Sequence, residues 1–182
     1  MKTIISVLLI TFISGFKQLY QEITIAEPEF TGIILIVRGN SSGEQLEKQK
    51  AASASKADIG AALFGVSKAR GMNIVNGIES PVRASSGNPM KFIVRVKEND
   101  RDPVEVINIF RLEQDVKKER RAIVTGTVNF NQSTASDIEF IPFQAAKYGQ
   151  SSYLVEIADL PAGEYAMTLE GSRDVFNLFG VD

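Results

Sequence analysis

"SSYLVEIADLPAGEYAMTL", residues 151–169, holds two runs of alternating apolar and polar residues, separated by a short turn. Such alternation predicts two half-buried strands. The turn contains Pro161 and Gly163, and Tyr165 begins the second run. A tyrosine just past such a crossover is typical of the tyrosine corner of Greek-key sandwiches, where its hydroxyl bonds to backbone a few residues upstream. We predict this structural role for the three residues, with a ligand-pocket role for Tyr165 as the alternative, and expect Tyr153 to matter less.

Short alternating runs of the same kind recur along the chain from Gly32 onward. In "MKFIVRVK", residues 90–97, apolar residues alternate with basic ones, which is typical of a sheet with one wet face. The connecting segments are rich in Gly, Pro, Asn and Asp, the residues that favour turns. No long helical period intervenes. The pattern predicts an all-β fold, an antiparallel Greek-key-like β-sandwich, with a β-barrel as the alternative.

The second run of the opening stretch also predicts which side chains face the core. Tyr165, Met167 and Leu169 fall on one face of the strand. The residues between and beside them are expected outside: Glu164, Ala166, Thr168 and Glu170. One segment, residues 44–58, is ambiguous. Its composition favours a helix, but its Lys and Ala residues recur at steps of two, as in a solvated strand.

Composition narrows the chemistry open to the chain. The 182 residues are 44% hydrophobic and carry a formal net charge of -2, which is typical of a globular protein and gives no reason to expect a nucleic-acid partner. Histidine and cysteine are absent. Histidine-dependent triads, thiol nucleophiles, zinc sites of thiolate or imidazole, and disulfides are therefore excluded.

The N-terminus has the pattern of a secretory signal peptide. Lys2 precedes an uncharged apolar run at residues 3–13, and the small residues Ser14 and Gly15 follow it. The run is too short to span a bilayer. A basic start, a short apolar region and small residues predict a cleaved leader at residues 1–15, with a buried N-terminal strand as the alternative.

The remaining chain divides into two parts. Residues 16–31 are expected to form a linker or an edge strand, and residues 32–182 a single β-sandwich domain. We expect no transmembrane segment in the mature chain and, without cysteine, no lipid-anchoring residue. The expected location is therefore outside the cytoplasm, in a periplasm, at the cell surface or in the medium.

Three stretches carry a resemblance to a known group of proteins. They are "IESPVRASSGNPMKFIVRVKENDRDPVEV", the basic "KKERR", and the ending "SSYLVEIADLPAGEYAMTL...VFNLFGVD". The chain after residue 70 resembles a family of uncharacterised exported β-rich proteins of Bacteroidetes. The resemblance implies a compact domain behind a leader, and it implies no activity and no site residues.

Carboxylates are the main candidates for chemistry. In "ENDRDP" the acids Glu98, Asp100 and Asp102 alternate, and clustered oxygen donors are the ligands that Ca²⁺ takes. The alternative is that Asn and Asp bond their own backbone in a turn. A glycan hydrolase would need two acids across a cleft. The acids at plausible outward strand positions are Glu139, Glu156, Glu164 and Glu170.

A basic run lies between two predicted strands and contains Lys117, Lys118, Arg120 and Arg121. It would suit phosphate, acidic polysaccharide or lipid headgroups, but nearby acids favour a solvated hairpin. The chain is therefore interpreted as an exported, non-catalytic β-sandwich module that binds a protein or glycan at the cell envelope, without a cofactor. The alternative is a small carboxylate-dependent glycan hydrolase.

Overall fold

The computed structural model describes residues 23–57, 68–129, 132–135 and 138–182, and the regular secondary structure of these residues is nearly all antiparallel strand. The strands are β1 (Ile34–Val37), β2 (Gly43–Gln45), β3 (Glu47–Lys50), β4 (Ala52–Ala57), β5 (Lys68–Asn76), β6 (Arg83–Ala84), β7 (Met90–Arg95), β8 (Ile107–Asp115), β9 (Arg120–Asn129), β10 (Gln132–Ala135), β11 (Gln144–Tyr148), β12 (Ser152–Ile157), β13 (Gly163–Leu169) and β14 (Ser172–Val181). A helical turn at Pro103–Val106 and a 3₁₀ turn at Val116–Lys118 precede β8 and β9. No helix in these parts of the chain is both long and apolar enough to cross a membrane.

A five-stranded sheet with the order β11-β12-β7-β1-β2 forms one layer of the fold. Its inner face packs on β8, β13 and β14 of the second sheet, and side chains from both layers form one apolar core. Phe179 lies at its centre, with ring centroids 5.1 Å from Phe92 and 5.5 Å from Tyr165. Because β7 lies between β1 and β12, neighbouring strands are distant in sequence, as in Greek-key arrangements. The prediction of an antiparallel β-sandwich is confirmed.

The second sheet curls almost into a barrel. Its order is β3-β14-β13-β8-β9-β5-β4, with β6 and β10 attached at the side. Only Ala51 separates β3 from β4, so the chain passes directly from pairing with β14 to pairing with β5. This continuous segment joins the two ends of the sheet. We call the resulting structure the barrel, and β8, β13 and β14 serve both as its wall and as the second layer of the sandwich.

The barrel encloses a second apolar core, which corrects one prediction. Its buried members are Val75, Phe110, Leu112, Ile123, Ala166, Phe176 and Leu178. Glu164, Ala166 and Thr168, expected on a wet face, are buried. The reason is that β13 lies between the two cores and has no wet face. Of the residues expected outside on this strand, only Glu170 in the following turn is exposed.

Other sequence interpretations are settled by the strands themselves. The ambiguous segment at 44–58 forms β2, β3 and β4 up to Ala57, so its two-residue period outweighs its helical composition. The pattern of short apolar runs also predicts strands at "DIEFIPF", residues 137–143, and "IGAALFGVS", residues 59–67. The first is no regular strand where it is described and contributes one isolated bridge at Phe140. "IGAALFGVS", residues 59–67, and the predicted leader at residues 1–15 lie outside the described residues.

One end of the barrel is closed by a buried network of charges around Arg121. Its guanidinium is 0% exposed and lies 3.1 Å from carboxylate oxygens of both Glu47 and Glu164. It also donates to the carbonyl oxygens of Asn76 and Gly77, each at 3.1 Å. All three nitrogens of the guanidinium therefore have acceptors, as a charge buried away from water requires.

Glu164 is the acidic centre of this closed end. One of its oxygens accepts from the backbone N–H of Ser80 at 2.8 Å, and the other accepts from Arg83. Arg83 also bonds to Asp182, and this bond holds the pKa of the Asp182 carboxyl below its ordinary value. Gly180 leaves room for the Arg83 guanidinium, because a Cβ there would overlap it. The network is fully paired and closes the barrel as a structural element.

The segment before β1, residues 23–31, forms no strand and is attached to the five-stranded sheet by Glu27. Burial opposes ionisation of Glu27, but backbone N–H groups of Gln150 and Ser151, each 2.9 Å away, and Arg95 at 2.8 Å outweigh it. These contacts lower its pKa from 4.5 to about 2. The carboxylate therefore links the segment to the ends of β7 and β12.

We expect Glu27→Gln to lower the free energy of unfolding by about 1–2 kcal/mol near neutral pH. A depressed pKa contributes stability that is complete above the unfolded value of 4.5 and is lost as pH falls toward 2. The difference from the unmodified protein should thus disappear over that interval in urea titrations. Glu44→Gln is the control, because the Glu44–Arg38 pair is exposed. A difference that stays constant with pH would contradict this role.

Candidate functional site

The barrel is open on one side, between β8 and β9. These strands pair through three residue pairs only, the first of which joins Glu113 to Ala122 and the last Asp115 to Arg120. Beyond this point β9 continues beside β5, whereas residues 138–143 lie beside β8. The backbone N–H of Ile141 donates to Ile109 at 2.8 Å, and Phe140 bridges to Phe110. The barrel interior therefore opens where the two strands diverge.

A pocket of about 310 Å³ occupies this opening. Its apolar floor contains Phe110 and Phe176, whose rings meet edge to face with centroids 5.4 Å apart. The described polar residues in its lining are Asn73, Asn108, Thr125, Thr168 and Arg173. An apolar floor with a few polar groups is typical of small-molecule sites, and barrel mouths are a common place for them. We take this pocket as the candidate site.

Phe140 lies at the rim of the pocket and is 55% exposed. On its other side is an outer groove of about 400 Å³, which shares Phe140 and Asn108 with the pocket. The groove is otherwise apolar and is lined by Val104, Ile107, Ile109, Ile141, Pro142 and Phe143. A large aromatic ring is thus presented to solvent beside hydrogen-bonding side chains.

The four acids considered for hydrolysis are not brought together. Glu156 pairs with Lys91 at 3.6 Å on the five-stranded sheet, and Glu164 belongs to the closed end of the barrel. Glu170 pairs with Arg101, and Glu139 is exposed beside Phe140. None of the described pockets is lined by two of the four. The outward position predicted for Glu164 is wrong, because both of its neighbouring layers are core.

A cleft of about 410 Å³ between the two sheets is lined by Glu170, one of these four acids, and by Glu98. The same cleft is lined by Lys48, Lys97 and Arg101. Arg101 binds Glu170 and, at 3.1 Å, Glu105. Acids and bases are therefore nearly balanced here, and Glu170 is engaged by a fixed cation.

The suggested calcium loop has turn contacts of its own. Asp102 accepts from the N–H of Val104 at 3.0 Å and caps the helical turn. The Asn99 amide donates to the carbonyl of Ser152 at 2.9 Å. Within the described residues, no three His, Cys, Asp or Glu side chains are grouped closely enough to hold a metal, so Glu98, Asp100 and Asp102 do not form such a group. The geometry gives Asp102 the turn role that Asp commonly has.

Tyr165 has the geometry of a tyrosine corner. Its hydroxyl donates to the carbonyl oxygen of Pro161, four residues upstream, at 2.7 Å. Burial raises the pKa of Tyr165, which keeps the hydroxyl protonated as a donor. Arg111 covers Gly163, where a Cβ would lie 2.9 Å from the guanidinium. Tyr165 does not line any of the described pockets.

Tyr153 makes a hydrogen bond of the same kind. It is fully buried, and its hydroxyl donates to the carbonyl oxygen of Arg101 at 2.6 Å. The structure therefore gives no reason to expect a smaller effect at Tyr153 than at Tyr165, because both hydroxyls connect a strand to a loop. No turn motif next to Tyr153 predicts this hydrogen bond, because the acceptor lies in a loop that is distant in the sequence.

The four residues of the basic run lie in different environments. Lys117 and Lys118 are exposed in the 3₁₀ turn, and Arg120 pairs with Asp115 at 3.2 Å. Arg121 is buried in the closed end of the barrel, so the solvated-hairpin interpretation is wrong for this residue. The two-residue period along β9 could have predicted this buried position. The other three basic residues of the run instead suggested that Arg121 is exposed.

Sequence reasoning missed the residues of the pocket. Asn73, Asn108, Phe140 and Arg173 come from four distant parts of the chain and form no motif. Only a hydrophobic Phe140 next to Glu139, outside a regular strand, hinted at an exposed aromatic ring. The site depends on the divergence of β8 and β9, which no local pattern shows.

Comparison with known proteins identifies no relative that defines a family. No protein-family model matches the chain, and no curated protein matches it. A chain in the crystal structure of the ZIG-8–RIG-5 IG1–IG1 heterodimer is similar with a TM-score of 0.29 and 13% identity. The match covers 59% of this chain and 82% of that chain. A TM-score of this size is too low to assign a shared fold, and the architecture above rests on the strand pairing itself.

Proposed function

We propose that this protein is an exported, non-catalytic glycan-binding protein. Its site is the pocket between β8 and β9 together with the ring of Phe140. The observation that carries the proposal is the half-exposed aromatic ring at the rim of a pocket whose described polar groups are mostly amides and hydroxyls.

Sugars match this combination of groups. A pyranose presents apolar C–H faces that pack on aromatic rings and hydroxyls that both donate and accept hydrogen bonds. Asn side chains offer a donor and an acceptor together, and Thr hydroxyls do the same. Asn73 is already oriented, because its Oδ1 accepts from Ser53 at 3.1 Å and its amide N–H groups are left for other acceptors. A volume near 310 Å³ lies at the lower end for ligand pockets, which suits a single sugar unit.

The lining supports binding rather than hydrolysis. A glycoside hydrolase holds two carboxylic acids on opposite sides of the scissile bond. No Asp or Glu is among the described residues that line the pocket. Among the described residues, the alternative of a carboxylate-dependent hydrolase therefore has no pair of acids at this site.

Export is proposed from the leader pattern at residues 1–15 and from the resemblance to exported proteins. It would place the chain in a periplasm, at a cell surface or in the medium, where glycans are available. The N-terminal sequence of the protein recovered from its host tests it. A chain that still begins at Met1, with no shorter form, would rule export with processing out.

The binding proposal is tested with Phe140→Ala and a panel of oligosaccharides in isothermal titration calorimetry. Removing a ring that becomes buried under a sugar should weaken binding about tenfold or more. The fold should be unaffected, because Phe140 is 55% exposed. Phe30→Ala is the matched control, since Phe30 is 65% exposed and lies outside the pocket.

Three results would overturn the proposal. The first is that no oligosaccharide of the panel binds, while a protein partner does. The second is an equal loss of affinity in Phe140→Ala and Phe30→Ala. The third is cleavage of a bound oligosaccharide that disappears in a Gln variant of Glu139, Glu156 or Glu170, which would establish the hydrolase alternative.

A further inference from the structure

We infer that the sugar unit bound in this pocket is acidic and that Arg173 binds its carboxylate. The inference rests on the proposed function and adds the chemical class of the ligand. It selects uronic-acid-type units over neutral hexoses.

Arg173 is the only charged side chain among the described residues that line the pocket. All other lining residues there are apolar, amide or hydroxyl residues. A ligand without charge would leave this cation facing the site without a counter-ion. Arg173 is exposed, so a ligand carboxylate can reach it from solvent and form an ion pair that salt would screen.

Arg173 also differs from the other arginines whose side chains the structure describes. Each of those donates to a carboxylate or a carbonyl: Arg38, Arg83, Arg95, Arg101, Arg111, Arg120 and Arg121. The side chain of Arg173 makes no hydrogen bond and no ion pair with the residues that the structure describes. The fold therefore supplies a partner to every described guanidinium except the one at the pocket.

The acids nearest to Arg173 in the chain and at the rim do not compensate it. Asp174, the next residue, pairs with Lys50 at 3.3 Å, and its carbonyl accepts from Ala51. The carboxylate of Asp174 is therefore already paired with another cation. Glu139 is exposed next to Phe140 but does not line the pocket.

The chemistry of the guanidinium fits a carboxylate. Its planar fork of N–H donors matches the two oxygens of a carboxylate in a bidentate pair, which a Lys ammonium cannot reproduce. A uronic acid unit carries that carboxylate on the ring, together with the apolar face and hydroxyls that Phe140 and Asn108 would meet. Arg173 would thus bind the carboxylate of one sugar unit, Phe140 its apolar face, and Asn108 its hydroxyls.

The test compares oligosaccharides that differ only in this group, namely oligogalacturonides and their carboxyl-reduced, galactose-containing counterparts. We expect the acidic form to bind the unmodified protein at least tenfold more tightly, and its affinity to fall as salt rises. Arg173→Gln should remove both the preference and the salt dependence while leaving the affinity for the neutral form unchanged. Arg173→Lys should restore the salt dependence but only part of the preference.

Lys118→Gln is the control, because it removes one exposed positive charge outside the pocket. It should leave the preference intact. Equal binding of acidic and neutral forms to the unmodified protein would overturn the inference and leave the proposed function standing. An equal loss of both forms in Arg173→Gln would show a structural role and would also overturn it. If neither form nor any other oligosaccharide binds, the proposed function itself fails.

Discussion

Replacing Arg121 by methionine is expected to lower the free energy of unfolding by about 3–5 kcal/mol, the cost of leaving a buried charge without its partner. Arg121 is 0% exposed and bonds to Glu164, which is 1% exposed, and to Glu47. Methionine fills most of the volume but supplies no donors. Glu164 would keep only Ser80 and Arg83. The carbonyl oxygen of Gly77 would lose the Arg121 donor, and that of Asn76 would keep only Gln49.

The neighbouring residue provides the control for this experiment. Arg120 pairs with Asp115 on the partly exposed side of the same strand, so Arg120→Gln should cost less than about 1 kcal/mol. Urea titrations of both variants would give the comparison. Similar losses in the two variants would contradict the view that the buried network closes the barrel.

Tyr165→Ala is expected to lower the free energy of unfolding by about 3–5 kcal/mol, because a large cavity is added to the lost hydrogen bond. The ring is fully buried and stacks on Phe179 in the core between the two sheets. Tyr165→Phe keeps this packing and removes only the donor to Pro161, so it should cost about 1–2 kcal/mol. The two variants separate the ring from the hydroxyl.

Tyr153→Phe serves as a second measurement of the same quantity, because it removes one buried hydroxyl that donates to the carbonyl of Arg101. A similar cost of about 1–2 kcal/mol is expected. An unchanged urea midpoint for Tyr165→Phe, together with weakened oligosaccharide binding, would instead place Tyr165 in the binding site and contradict the tyrosine corner.

Local patterns predicted the strands well and their environment poorly. The two-residue period is a property of each strand alone, so it located β7, β12 and β13 correctly. Which faces are wet depends on what covers them. The alternation in β13 predicted a wet face for Ala166 and Thr168, but the curled second sheet places a second core there. That closure depends on Ala51 joining β4 to β3, whose partner β14 lies far along the chain.

The candidate site was beyond sequence reasoning for a related reason. Clusters such as "ENDRDP" and "KKERR" attract attention because their charges are adjacent in the sequence, and here they form turns and part of a buried network. Phe140 and Arg173 are separated in sequence and lie at one pocket only because β8 and β9 diverge. That Arg173 lacks a partner among the described residues becomes visible only when the partners of the other described arginines are known.

The direct connection of β3 to β4 through Ala51 affects how the chain folds. β3 can find its partner only when β14, the last strand, is present, so the barrel cannot close before nearly the whole chain is available. Closing such a long loop costs chain entropy before the contacts form, which makes assembly slow relative to folds with local pairing. Until then, β3 and β13 both expose unpaired strand edges, and these are the sites at which incomplete chains would associate. The barrel therefore closes only when the ten residues of β14 have paired with β3 and β13.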